Sequence, residues 1–146
     1  AMMEKLVREW SNHFGLTVRE NYDANVSWEE KLYAARLIDE EYKELTVAIA
    51  EDNNPDIVEE AVDLIWVTLR LLQTMGVDAD EALKLKFNAN MTKGFISLDA
   101  VTKEAVEKKC IVDSPSNGFF VLKHRETGKI QKPNHYVKPN FKTKYP

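Results

Sequence analysis

Four acidic residues of this 146-residue chain stand at spacings that suit metal chemistry. Glu41 and Glu44 are three apart, and so are Glu60 and Asp63. Residues three apart in a helix lie on one face. Leu37, Glu41, Glu44 and Ala48 follow one another at steps of 4, 3 and 4, the spacing of a core stripe. Asp63 sits inside Ala61-Val62-Asp63-Leu64-Ile65-Trp66-Val67, apolar nearly all round, and such a helix is expected to be buried. A bare carboxylate in that setting is costly or takes up a proton. An isolated Glu-Glu-x-x-Glu is ordinarily a solvated face, so it is the second pair on an apolar helix that carries the inference.

The elements that must position these groups are two long helices. Ser27 reads as an N-cap, and Glu30, three residues on, completes a capping box. The helix that follows runs to about Ala50 without Gly or Pro. Residues 51–54 form a short turn, with Asn54 as the next N-cap and Pro55 at the first helical position. The second long helix spans about 55–75 and stops at Gly76. A connection this short makes the two helices antiparallel neighbours. About its centre at 52.5, Glu44 and Glu60 lie 8.5 and 7.5 residues away, and Glu41 and Asp63 lie 11.5 and 10.5 away. The four carboxylates then face each other as two rungs. Anions so close need a cation, and an oxygen-only donor set favours Mg²⁺, with Mn²⁺ as the alternative.

Elsewhere the pattern is plainer. Leu6, Trp10 and Phe14 at i, i+4, i+8 predict a helix from Met3 that ends before Gly15. Asp78 and Glu81 open a helix reaching about Met91, and residues 99–109 suit one more. Residues 119–132 alternate like a β-hairpin turning at Glu126-Thr127-Gly128-Lys129, and the proline-bearing end, 132–146, reads as an extended arm. The expected fold is all-α, an antiparallel helical bundle with a C-terminal β-hairpin and arm. Residues 1–94 are expected to form the helical catalytic domain, and 95–146 an appendage rather than an independent domain.

Composition narrows the function classes. Hydrophobic residues make up 44% and charged residues 30%, which suits a globular chain rather than a disordered or fibrous one. Cys110 is the only cysteine, so disulfides are excluded, and with three scattered histidines no zinc site is formed. No targeting segment and no membrane span is visible, so a soluble, cytoplasmic protein is expected. Net charge is −4 but uneven. Residues 119–146 hold seven Lys/Arg against Glu126, a net +6, and the other 118 residues carry −10. A basic tail on an acidic body suggests an anionic contact, either phosphates or the body itself.

Glu40-Glu41-x-x-Glu44 followed by Glu60-x-x-Asp63 resembles the E-E-x-x-E…E-x-x-D signature of the MazG-like all-α nucleoside triphosphate pyrophosphohydrolases. Gly76-Val77-Asp78 resembles that family's G-[IV]-D turn, and Asn90-Met91-Thr92-Lys93 its N-M-[ST]-K. Val7-Arg8-Glu9-Trp10 and Gly128-Lys129-Ile130-Gln131-Lys132-Pro133-Asn134-His135-Tyr136 look like the ends of small phage and bacterial members labelled phosphoribosyl-ATP pyrophosphohydrolase-like or Cof-like. The likeness covers residues 3–94 and about 119–141. Residues 95–118 look longer than in those relatives.

The resemblance implies hydrolysis of a (deoxy)nucleoside triphosphate to the monophosphate and pyrophosphate, with Mg²⁺ held by Glu41, Glu44, Glu60 and Asp63. Glu40 and Glu41 are the residues it offers for catalysis, Glu40 as an orienter or proton acceptor. Phosphate contacts are expected from Lys86, Asn90 and Lys93, which follow at steps of 4 and 3. Lys132, Asn134 and Tyr136 of the arm are expected to close over the nucleotide. Trp66 and Phe87 suit either base stacking or core. A homodimer or homotetramer is implied, without membrane and without nucleic acid as partner. Two other readings stay open: a catalytically silent nucleotide- or Mg²⁺-binding regulator, and a helical protein binding nucleic acid through its arm.

Overall fold

The structure is a computed structural model, and it describes residues 2–115 and 118–146. It is mostly helical, with six helices and one small antiparallel sheet among those residues. The chain forms two compact units, Ala1–Ala82 with Phe141–Pro146, and Leu83–Asn140.

The first unit is built on α1 (Met2–His13), α2 (Trp28–Ala50) and α3 (Asn54–Met75). The capping box at the start of α2 is complete: Ser27 Oγ accepts from the Glu30 amide, and the Ser27 amide donates to Glu30. At α3 the N-cap is Asn53, one residue before the expected Asn54, and its side chain accepts from the Asp56 amide. Pro55 then falls in the first turn, where a missing N–H costs nothing. Gly76 ends α3 in the left-handed region at φ 74°, and a Cβ there would run into the Asn21 carbonyl. The loop between α1 and α2 is thereby held against the end of α3. The Arg19 and Asp23 amides donate to the Gln73 and Met75 carbonyls at 2.9 and 3.0 Å.

α1 packs on α3 through a buried polar contact. Ser11 Oγ meets Gln73 Oε1 at 3.2 Å, and Gln73 Nε2 donates to the Glu4 carbonyl. The expected core stripe of α2 needs one correction. Leu37, Glu41, Leu45 and Ala48 face inward, whereas Glu44 is exposed. Steps of 4 and 3 fit either Glu44 or Leu45, and the helix turns the leucine in. The expectation that residues 61–67 are buried all round is also corrected. Val62 and Ile65 are 51% and 45% exposed, because α1 and α2 cover only part of α3. The chain's end returns to this unit: α6 (Phe141–Lys144) pairs Lys144 with Glu81, and Tyr22 donates to the Pro146 carbonyl at 2.6 Å.

α4 (Ala79–Met91) starts with Asp78 Oδ1 accepting from the Asp80 and Glu81 amides. The second unit holds most of α4, then α5 (Leu98–Lys108), capped by Ser97, and strands β1 (Ile111–Asp113), β2 (Val121–Lys123) and β3 (Ile130–Gln131). The expected hairpin is present as β2–β3, and β1 adds a third strand, giving the order β1-β2-β3. Phe95, Val101, Ala105, Cys110 and Leu122 form its core. The arm is not simply extended. Residues 132–137 are pinned within this unit, and α6 is helical.

Candidate metal centre and adjoining cavity

Glu41 on α2 and Glu60 and Asp63 on α3 converge, each half-buried, with one oxygen from each within 4.8 Å of the others. The short 51–53 connection and the i, i+3 spacing on α3 produce this convergence. Oε2 of Glu41 and Oε2 of Glu60 are buried without a hydrogen-bond partner. Buried polar oxygens are ordinarily satisfied, so two orphaned acceptors side by side mark a place for a cation. The hard, all-oxygen donor set fits a divalent ion of the Mg²⁺ class.

Electrostatics point the same way. A hydrogen bond to the Glu44 carboxyl, with burial and the charges of Glu44 and Asp63, pushes Glu60 up to about 7. Burial, followed by the negative charge of Glu44, raises Glu41 above the usual carboxylate range. Without a cation, the cluster therefore relieves its repulsion by holding a proton.

Of the four expected ligands, Glu41, Glu60 and Asp63 form the convergent set. Glu44 touches Glu60 from the exposed side, and with Lys43, Val47 and Asp56 it lines a groove along the hairpin. Glu40 is exposed on α2. Lys86, Asn90, Lys93, Lys132, Asn134 and Tyr136 all belong to the second unit. Lys93 and Lys132 lie 5.8 and 5.1 Å from the Tyr136 ring centre. Asn90 and Lys93 line a cavity with Phe119 and Val121, and Lys86 is exposed on α4. The arm's motif makes contacts within its own unit. The Asn134 amide donates to the buried Glu104, the Lys132 carbonyl accepts from Lys108, and His135 Nε2 meets the Gly94 carbonyl at 2.9 Å. Phe87 is exposed.

A feature that the sequence reading missed lies in the first unit. A cavity of about 500 Å³ opens between α1, α2, α3 and the loop after α1. Trp10, Tyr33 and Trp66 give it aromatic walls, and Leu37 and Val67 close the end nearest the carboxylates. Trp10 and Trp66 meet edge-to-face, 5.4 Å between centres. Leu37 and Val67 each stand four residues, one helical turn, from Glu41 and Asp63. Arg70 was the available signal: it interrupts an apolar run on the same side of α3 as Asp63.

With this geometry established, the phosphoribosyl-ATP pyrophosphohydrolase family is matched over residues 7–85, more than half of the chain. The chain belongs to that family. The phosphoribosyl-ATP pyrophosphohydrolase match contains every carboxylate of the cluster and all three aromatic walls of the cavity. It ends before Lys86 and the arm. The family is one of MazG-like all-α enzymes, hydrolases that act on the acid anhydrides of nucleotides. No curated protein matches the chain. Among the described residues, no helix is long and apolar enough to cross a membrane.

Proposed function

We propose that this chain is a Mg²⁺-dependent pyrophosphohydrolase that converts a (deoxy)nucleoside triphosphate to the monophosphate and pyrophosphate. The observation that carries this reading is the convergence of Glu41, Glu60 and Asp63, two of them with orphaned buried oxygens, one helical turn from an aromatic cavity. The cavity takes the base and sugar, and the acidic cluster takes the cation that meets the phosphates. A divalent cation supplies charge neutralisation on phosphate oxygens and lowers the pKa of water. Glu41, Glu60 and Asp63 would hold it, with Glu44, which lines the same groove as Glu60, as the fourth carboxylate. Glu40, next to Glu41 and open to solvent, accepts the proton released by the attacking water.

Lys86, Asn90, Lys93, Lys132, Asn134 and Tyr136, all of the second unit, are the candidate substrate contacts of that unit. Residues 1–94 act as the catalytic part. Exposed Val58, Val62 and Ile65, at i, i+4 and i+7 on one face of α3, support a homodimer or homotetramer, since apolar surface of this kind marks an interface.

Glu60→Gln tests the site. It keeps the side chain's shape and removes a charge-bearing ligand, so turnover falls by about a thousandfold or more. The helical circular dichroism signal stays unchanged. Turnover within a few-fold of the unsubstituted protein would overturn the assignment.

A further inference from the structure

Two helices, one in each unit, leave an apolar stripe in the open. On α3, in the first unit, Val58, Val62 and Ile65 stand at i, i+4 and i+7, all exposed. On α4, in the second unit, Leu83, Phe87 and Met91 follow at i, i+4 and i+8, and they are 66, 58 and 65% exposed. Residues at these spacings share one side of a helix. The stripes run about 10 and 12 Å along their axes at the α-helical rise, so they match in length. Large apolar side chains ordered in this way mark a contact with another protein surface.

The charges beside the two stripes differ in sign. Between Asn54 and Leu69, α3 carries Asp56, Glu59, Glu60 and Asp63 and no Lys or Arg. Glu59 borders the stripe and is exposed. Between Leu83 and Lys93 the chain carries Lys84, Lys86 and Lys93 and no Asp or Glu. Lys84 and Lys86 stand on the two sides of the α4 stripe, both exposed. The contrast extends to the whole units. Residues 83–140 hold 11 Lys/Arg against 5 Asp/Glu, a net +6, and the remaining residues hold 9 against 19, a net −10. Two α3 stripes stacked together would set acid against acid, and two α4 stripes lysine against lysine, which is repulsive. An α3 stripe against an α4 stripe joins apolar to apolar and acid to base. α1 also exposes Leu6 and Phe14, but Glu4, Lys5, Arg8 and Glu9 give it both signs, so charge assigns it no partner.

We propose that the α3 stripe docks on the α4 stripe of a second copy of this chain. A closed pair makes that contact twice, once from each copy, so each copy offers the surface that the other needs. This inference rests on the homo-oligomer reading above and names the two faces that form the contact.

Sedimentation equilibrium on the full chain tests this, with Val62→Lys on α3 and Phe87→Glu on α4. Each change removes an apolar contact and sets a like charge against the facing stripe, near Lys84 and Lys86 in the first case and near Glu59 in the second. Both positions are exposed, so the helical circular dichroism signal stays unchanged. Each variant raises the dissociation constant of the assembly by about a hundredfold or more, because a closed pair carries the change twice. Both changes in one chain set the new charges opposite each other, and association recovers to within about tenfold of the unsubstituted protein. Dissociation by Val62→Lys alone, or by Phe87→Glu alone, overturns the pairing, since one face then meets its own kind. Dissociation by both without recovery in the combination places the stripes in separate contacts and also overturns it. An assembly indifferent to both variants overturns the pairing and leaves the homo-oligomer reading standing. A chain that stays monomeric at every concentration overturns both.

Discussion

Replacing Asp63 by Asn separates what the acidic cluster costs from what it binds. In the metal-free protein, one oxygen each of Asp63, Glu41 and Glu60 lie within 4.8 Å. Two like charges at that distance repel by about 3–4 kcal/mol at an effective dielectric of 20. Half-exposure and salt reduce this for the Asp63–Glu41 pair to about 1–2 kcal/mol. Asp63→Asn keeps the shape and removes that repulsion, so the metal-free variant is more stable than the unsubstituted protein by about 1–2 kcal/mol, or about 4–8 °C in Tm for a chain of this size. With metal the order reverses. At a hundred times Kd, a bound cation stabilises by about 2.7 kcal/mol, roughly 10 °C. The variant, short of one anionic ligand, loses most of that gain. Thermal unfolding with chelator and with a MgCl₂ series reads both effects. A metal-free variant less stable than its parent, combined with an undiminished Mg²⁺ shift, would refute the reasoning, because Asp63 would then be an ordinary structural carboxylate.

The proton on Glu60 gives a pH dependence with a definite sign. Its folded pKa of about 7 lies above the ordinary 4.5, so the metal-free fold is favoured at low pH. That contribution is fully present below about 4.5 and is lost as pH rises through about 7. Tm in chelator therefore falls across this window, the fall is removed by saturating Mg²⁺, and binding below about pH 7 releases protons measurable by calorimetry in buffers of different ionisation enthalpy. Gly76→Ala forces a side chain into a left-handed residue and against the Asn21 carbonyl. It destabilises by about 3 kcal/mol in denaturant unfolding, and a change below about 0.5 kcal/mol would show that the loop does not sit there.

Much of this arrangement was legible in the sequence, and the misses have physical causes. The α2–α3 hairpin follows from strong local signals: the Ser27–Glu30 capping box, Pro55 in the first turn, and Gly76 at the end. Two adjacent asparagines, Asn53 and Asn54, stand at the start of α3, and local preference cannot choose between them. The choice of Asn53 is made where its side chain reaches the Asp56 amide. Glu44 and Leu45 satisfy the helical period equally, and packing against α3 selected the leucine. β1 is only three residues long and owes its existence to pairing with β2 through Val112 and Leu122, a contact between distant segments. The cavity was hidden for the same reason. Trp10, Tyr33 and Trp66 come from three helices, and no periodicity within one helix brings them together. The arm's contacts, Val137 with Thr92 and His135 with Gly94, are likewise invisible to local pattern.

Product identification tests the central claim most directly. Purified protein is incubated with a deoxynucleoside triphosphate and Mg²⁺, and products are resolved by ³¹P NMR and chromatography. The account predicts nucleoside monophosphate and pyrophosphate in equal amounts, none with chelator present, and about a thousandfold less or lower still from Glu60→Gln. Orthophosphate with nucleoside diphosphate, or no product from any of the common nucleotides, would contradict it.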